Sequence, residues 1–228
     1  MHIPDGYLGP QTYAPLFGVM VPLWSWASRH VRRALPSRHV PLLALGAAFT
    51  FVVMMINVPA PGGTTGHAAG ATLVAIVLGP WAAVIAVSMA LLVQAFLFGD
   101  GGVTALGANC FNMAFVMPMV GYGVYRLISA GAAVTARRRV VAAAIAGYVS
   151  LNVAALCTAV EIGLQPWLAH RADGTPLYCP YSLQVTVPVM AAEHVLVFGW
   201  IEAAVTGLVV AYLMKNDPSL LTVTRRPP

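Results

Sequence analysis

The chain has 228 residues, of which 59% are hydrophobic and only 8% charged, and its mean hydropathy is +0.80. A soluble domain carries about 25% charged residues, so this composition cannot build a water-facing surface all round and points to the lipid bilayer. The formal net charge of +5 does not imply nucleic acid, because the basic residues sit in short clusters between apolar runs. These are Arg29, Arg32, Arg33 and Arg38, then Arg126 and Arg137 to Arg139, then Lys215, Arg225 and Arg226, the pattern of cytoplasmic loops in a polytopic protein. A transmembrane barrel is excluded, because its strands would alternate polar and apolar residues and these runs do not.

The N-terminus reads Met1-His-Ile-Pro-Asp-Gly6. No basic stretch precedes an apolar one, so a cleavable signal peptide is not expected and the mature chain is expected to start at Met1. Residues 1–10 are expected to form an outer loop, with Pro4-Asp5-Gly6 as a tight turn. A helix is predicted over 12–28, with Trp24 and Trp26 as interfacial anchors, and a second over 40–58. The Pro- and Gly-rich stretch 59–67 is a loop, in which Gly62, Gly63 and Gly66 let backbone approach His67. The apolar run 68–98 is too long for one crossing and is split at Gly79-Pro80, giving helices over 67–78 and 81–98. The turn Gly99-Asp-Gly-Gly102 leads to a helix over 104–128. Helices over 140–168 and 183–214 complete the set, joined by a polar loop holding His170, Arg171, Asp173 and Tyr178. The expected architecture is all-α: seven transmembrane helices in a single integral membrane domain, 1–228. Placing the basic clusters inside puts the N-terminus outside and the C-terminus inside. Ala44 with Ala48 and Ala143 with Gly147 provide the small-xxx-small spacing that permits close helix packing in lipid. Cys110 and Cys157 fall in apolar runs and Cys179 in a loop, without ligand spacing, and read as small hydrophobes plus one loop thiol.

Two histidines share the outer face in this topology, His2 and His67. A terminal residue followed by His is a chelator: the α-amine of Met1, the His2 amide nitrogen and its Nδ1 close a five- and a six-membered ring on one metal. A fourth nitrogen from His67 completes a square. Planar nitrogen sites select Ni(II) or Cu(II), and a backbone amide gives up its proton only to a strongly polarising ion. The plainer reading of the same residues is a chance His at position 2 and a solvated loop His.

Four ordered stretches carry a resemblance: Met1-His-Ile-Pro-Asp-Gly-Tyr-Leu8, Pro61-Gly-Gly-Thr-Thr-Gly-His67, Leu78-Gly-Pro-Trp81, and Phe98-Gly-Asp-Gly-Gly-Val-Thr-Ala-Leu-Gly-Ala-Asn109. Over residues 1–128 the chain resembles the substrate-specific (S) membrane component of nickel and cobalt energy-coupling-factor transporters, the NikM/CbiM type. Residues 140–214 match mainly in layout. The resemblance implies Met1 (amine), His2 (amide and ring) and His67 as metal ligands. It also implies a prokaryotic cell-membrane protein that captures Ni(II) or Co(II) as cargo. Its partners would be a transmembrane coupling (T) component, ATPase subunits and a small accessory membrane subunit. Pro4-Asp5 and the Gly99 to Gly102 loop are similar to the nickel branch, with cobalt the alternative.

Among the other polar residues, Asp5 and Asp100 are candidate acceptors for a proton of a ligand His, or else caps of turns. Asn109 and Asn112, one turn apart, are candidates to pin loops over the metal. Glu161, Glu193, His194 and Glu202 are costly in lipid and should face the bundle interior or a partner; Glu193 and His194 are expected near the midplane, in structural hydrogen bonds. An intramembrane metalloenzyme is the competing class, but no HExxH or Ser-His-Asp set is present, and neither a catalytic residue nor a catalytic cofactor is expected. No Walker A sequence occurs either, so ATP hydrolysis is expected of a partner subunit.

Overall fold

The computed structural model describes residues 1–60 and 64–222; Gly62, Gly63, Arg225 and Arg226 lie outside them. Within the described residues the chain forms seven helical segments and one short hairpin. The first helix, α1 (Pro10–Ala34), opens with Pro10 at its first position, where a missing N–H costs nothing, and closes with Arg32 and Arg33 against its negative end. It therefore runs past the predicted boundary at 28 into the basic stretch, and stops where Leu35 precedes Pro36. After a 3₁₀ turn at Ser37–His39, α2 covers Val40–Met54. It ends before the predicted boundary at 58, because Val58–Ala60 (β1) pairs antiparallel with Thr64–Gly66 (β2), Val58 opposite Gly66. Proline at 59 sits without strain on such an edge.

The third segment, α3, spans only Ala71–Leu78, about 12 Å at 1.5 Å per residue. Residues 67–70 precede it outside any helix or strand, so His67 lies four residues before the helix and not at its start. Gly79, at φ 87°, and Pro80 break the run as predicted. Beyond them α4 (Pro80–Val93) continues through a π-turn at Gln94–Phe98. Next, α5 (Leu106–Asn109) passes through a π-turn at Cys110–Val116 into α6 (Met117–Ile128). The long α7 (Arg137–Gly163) is extended by α8 (Gln165–Leu168). Last, α9 (Leu183–Glu193) passes through a π-turn at His194–Phe198 into α10 (Gly199–Asn216). By length and composition, three runs among the described residues can cross a membrane: Pro80–Phe98, Arg137–Leu168 and Leu183–Asn216.

The bundle is apolar inside and out. Leu97, Leu127, Leu196 and Leu208 are each more than 70% exposed, as outward residues are when the solvent is lipid. Inside, Met1 packs with Met20, Met54, Met113, Met117 and Met190, unbranched side chains that fill irregular gaps. A second cluster joins Ile3 and Leu8 to Ala105, Ala108, Ile162 and Cys179, so the loop thiol is buried under the N-terminal segment. Arg139 also departs from the pattern of a solvated loop cation: it is buried, donating to the carbonyls of Ala132 and Ala133 and to the Tyr125 hydroxyl.

Candidate metal centre

Residues 1–9 thread into one end of the bundle, and Met1, His2 and Ile3 are at most 5% exposed. Backbone polar groups entering an apolar interior need partners, and the sequence supplies them at short intervals. The Ile3 N–H is accepted by Asn109 Oδ1 at 2.9 Å, and its carbonyl accepts from Asn109 Nδ2 at 3.1 Å and from the Gly102 N–H at 2.8 Å. Asn109 thus imitates a paired strand. Asp5 accepts from the N–H groups of Val103 (3.1 Å) and Thr104 (2.8 Å) and from the Thr104 hydroxyl. Further along, Gly9 N–H donates to Gln165 Oε1 at 2.9 Å and the Tyr7 carbonyl accepts from Cys179 N–H at 3.2 Å. The segment fits because residues 101 and 102 are glycine: a Cβ at 102 would overlap Asp5, and one at 101 would press on Asn109 and His2.

This threading brings Met1 and His2 to the hairpin that leads into His67. The His2 and His67 rings stack, with centroids 4.6 Å apart and planes 25° apart. The Met1 amine donates to the carbonyl and, at 3.1 Å, to the hydroxyl of Thr65. His67 is fully buried, and its Nδ1 lies 3.0 Å from the Ala68 carbonyl. A carbonyl only accepts, so Nδ1 carries the proton and Nε2 holds a free lone pair; that nitrogen is buried with no hydrogen-bond partner. Neither ring nitrogen of His2 has a hydrogen bond of good geometry, although the Gln94 side chain is near enough to favour the charged ring, and its Nδ1 lies 3.5 Å from Asp100 Oδ1. Asp100 is itself held by Asn57 Nδ2 at 3.3 Å.

Burial sets the charge of these groups. It lowers the Met1 amine from 8.0 to about 5 against the opposing pull of Glu193 and Asp100. Burial, helped by the neighbouring amine, lowers His2 to about 3, and the same causes hold His67 well below the usual imidazole range. At neutral pH all three present uncharged nitrogen lone pairs, the form a metal requires. No group of three His, Cys, Asp or Glu side chains converges in ligand geometry among the described residues. What converges is two imidazoles and a chain terminus.

The sequence-derived candidates separate cleanly. Met1, His2 and His67 are brought together, Asn109 pins the N-terminal segment, and Asp100 stands beside His2. Asp5 touches no histidine and instead caps residues 103–104. Asn112 bonds Thr158 and Glu161, away from this segment. Glu193, His194 and Glu202 were expected to face the bundle interior or a partner but were not tied to this site: Glu193 and His194 are within electrostatic range of the Met1 amine, and Glu202 accepts N–H groups of the His67 loop. His194 donates through Nδ1 to the Met190 carbonyl at 2.9 Å, leaving its Nε2 buried without a partner. The Nδ1 contact is the structural hydrogen bond expected of His194; the free Nε2 is additional to it. All three interrupt apolar runs, a detectable sign of function, but spacing along one helix does not tell what a side chain faces.

The family model described as cobalt uptake substrate-specific transmembrane region matches residues 2–220. A fused nickel transport protein of Rhodobacter capsulatus is 55% identical over all of this chain, which spans 65% of that relative's length. A cobalt transport protein of Moorella thermoacetica is 41% identical over 130 residues, 56% of this chain and 50% of that protein. The crystal structure of a truncated transition metal transporter superposes with a TM-score of 0.91 at 55% identity, covering 94% of this chain and 99% of the other. The chain belongs to the cobalt uptake substrate-specific transmembrane region family of metal transporters.

Proposed function

We propose that this chain is the capture component of an ATP-driven importer, and that it binds Ni(II) at the outer face of the cell membrane through Met1, His2 and His67. The observation that carries this reading is the convergence of a buried neutral amine with two buried imidazoles, each presenting a ring nitrogen without a hydrogen bond. The Met1 amine, the His2 amide and Nδ1, and His67 Nε2 would form a four-nitrogen plane, which suits Ni(II). The nickel transport relative, similar over the whole chain, supports nickel; the shorter likeness to a cobalt transport protein keeps Co(II) as the second cargo. In this reading all seven helical segments belong to the membrane domain, with the N-terminus outside and the basic loops inside. The chain performs no chemistry on its cargo. A transmembrane coupling component and ATPase subunits, with a small accessory membrane subunit, complete the transporter.

The test is a side-by-side titration of Ni(II) and Co(II) into purified native-start chain, chain extended by one residue before Met1, and His67→Ala. An extension converts the amine into an amide and forces bulk into a buried pocket. We expect one Ni(II) per native chain, binding weakened at least about 100-fold in both variants, and a C-terminal tag without effect. Equal affinities for native and extended chains would overturn the ligand set.

A further inference from the structure

The loop that carries His67 is held from behind by one carboxyl group. Glu202, on α10, is fully buried. Its Oε2 accepts the N–H groups of Ala69 at 2.8 Å and Gly70 at 2.9 Å; Oε1 lies 3.1 Å from the Gly70 nitrogen and 3.4 Å from the Thr206 hydroxyl. An acid inside an apolar run is costly unless it is partnered and useful, and here its main partners are two consecutive backbone N–H groups. Gly70 has φ 70°, a left-handed conformation that glycine adopts without strain, and its N–H and that of Ala69 both reach the one carboxyl group.

The anchor is rigid on both sides of the loop. Gly147 of α7 lets α10 approach closely, since a Cβ there would sit 3.1 Å from the Glu202 carbonyl and 3.0 Å from the Thr206 hydroxyl. Immediately after the loop, the Thr72 hydroxyl pairs with Ser150 of α7 at 2.6 Å. One connected path therefore runs from α10 through Glu202 to the Ala69 and Gly70 amides. From there the adjoining Ala68 carbonyl receives the His67 Nδ1–H.

We infer that Glu202 is a positioning residue for the metal: it fixes backbone 68–70 so that Ala68 orients the His67 ring and aims Nε2. This rests on His67 being a ligand, as proposed above. Groups that orient a ligating histidine typically change metal affinity about 10- to 100-fold when removed, and a planar site is sensitive to ligand direction because direction selects the metal.

The experiment compares wild type, Glu202→Gln, Glu202→Met and His67→Ala as purified full chains. Ni(II) affinity, the visible spectrum of bound Ni(II) and the metal-free melting temperature are measured for each. Glutamine can place its amide oxygen at the Oε2 position, accept both N–H groups and turn its NH₂ toward Thr206. We expect it to bind Ni(II) within about threefold of wild type, because the two backbone hydrogen bonds survive. Methionine fills the volume but accepts nothing, and is expected to weaken Ni(II) about 10- to 100-fold with a changed spectrum. If the methionine variant does not fold, Glu202→Asp takes its place, keeping the acid but withdrawing its oxygens by one bond; it is expected to bind worse than glutamine. Wild-type affinity and spectrum in Glu202→Met, or in Glu202→Asp where that stands in, alongside a dead His67→Ala, would overturn the inference and leave the ligand set standing. Impairment of both Glu202 variants in step with their melting temperatures would also overturn it, assigning Glu202 to bundle stability. Wild-type binding in His67→Ala would instead overturn the ligand set itself.

Discussion

Asn109→Ala isolates the contribution of the N-terminal clamp without touching any nitrogen assigned to the metal. The substitution removes two buried hydrogen bonds to Ile3, but the two losses differ. The Ile3 carbonyl keeps the Gly102 N–H at 2.8 Å, so that loss costs only the net value of one bond, about 1 kcal/mol. The Ile3 N–H is left buried and unpaired, which costs about 1–3 kcal/mol. Together they oppose docking of the segment by about 2–4 kcal/mol, and at 1.4 kcal/mol per decade Ni(II) binding is expected to weaken by about 30- to 700-fold. These figures apply in full where docked and undocked forms are near balance in the metal-free wild type; a surplus of docking free energy absorbs its share of the penalty first and lowers them. Two assays read the same event: Ni(II) titration, and acylation of the Met1 amine at neutral pH, which a docked segment protects. Asn109→Ala protein that binds Ni(II) within threefold of wild type, with an amine no more reactive, would refute the clamp.

Gly66→Ala should displace β2, because the new Cβ would overlap the Phe198 ring; overpacking of this kind costs about 1–3 kcal/mol, and adding Phe198→Ala in the same chain should recover part of the lost Ni(II) affinity. Binding should strengthen with pH between about 6 and 8 with a slope near one proton per metal, released by the His2 amide, because the amine and the imidazoles are already neutral there; below about 5 the slope should steepen as the Met1 amine, with its pKa near 5, takes up a proton. Two protons released per Ni(II) at pH 7 would instead mean an amine of ordinary basicity, in contact with water.

Much of the helical layout is legible in the sequence because lipid enforces it. Long apolar runs must satisfy their backbone internally, and Gly79-Pro80 must break whatever helix reaches it. The boundaries that moved are those decided by partners. Residues 55–58 leave the helix because Val58–Ala60 pairs with Thr64–Gly66, a contact that local propensity does not encode. Met1, His2 and His67 were legible as candidates because Met1 and His2 are adjacent and His67 stands in a glycine-rich stretch. Glu202 was not, since its function is a bond to backbone far away in sequence, and neither N–H group at 69–70 leaves a mark on residue identity beyond the glycine. Asp5 was open in sequence between a histidine partner and a turn cap, and its bonds to Val103 and Thr104 make it the cap.

Burying two imidazoles and an amine with few partners is unfavourable, at about 1–3 kcal/mol for each unpaired group. The amine must also give up its proton to enter, which costs about 1.4 kcal/mol at pH 7 for an ordinary pKa of 8.0. The N-terminal segment offsets these costs at positions remote from the metal: Asn109 and Gly102 on Ile3, Thr104 on Asp5, Gln165 on Gly9 and Cys179 on Tyr7, together with burial of Met1, Ile3 and Leu8. The desolvation and deprotonation of the donors are thus completed by docking, before an ion arrives. In the proposed role, an incoming Ni(II) would then have to displace only the amide proton and its own water. As a metal site, the same arrangement would disfavour Mg(II), which surrenders water reluctantly and prefers oxygen ligands, so the hydrogen bonds that hold the segment would also contribute to the choice of metal.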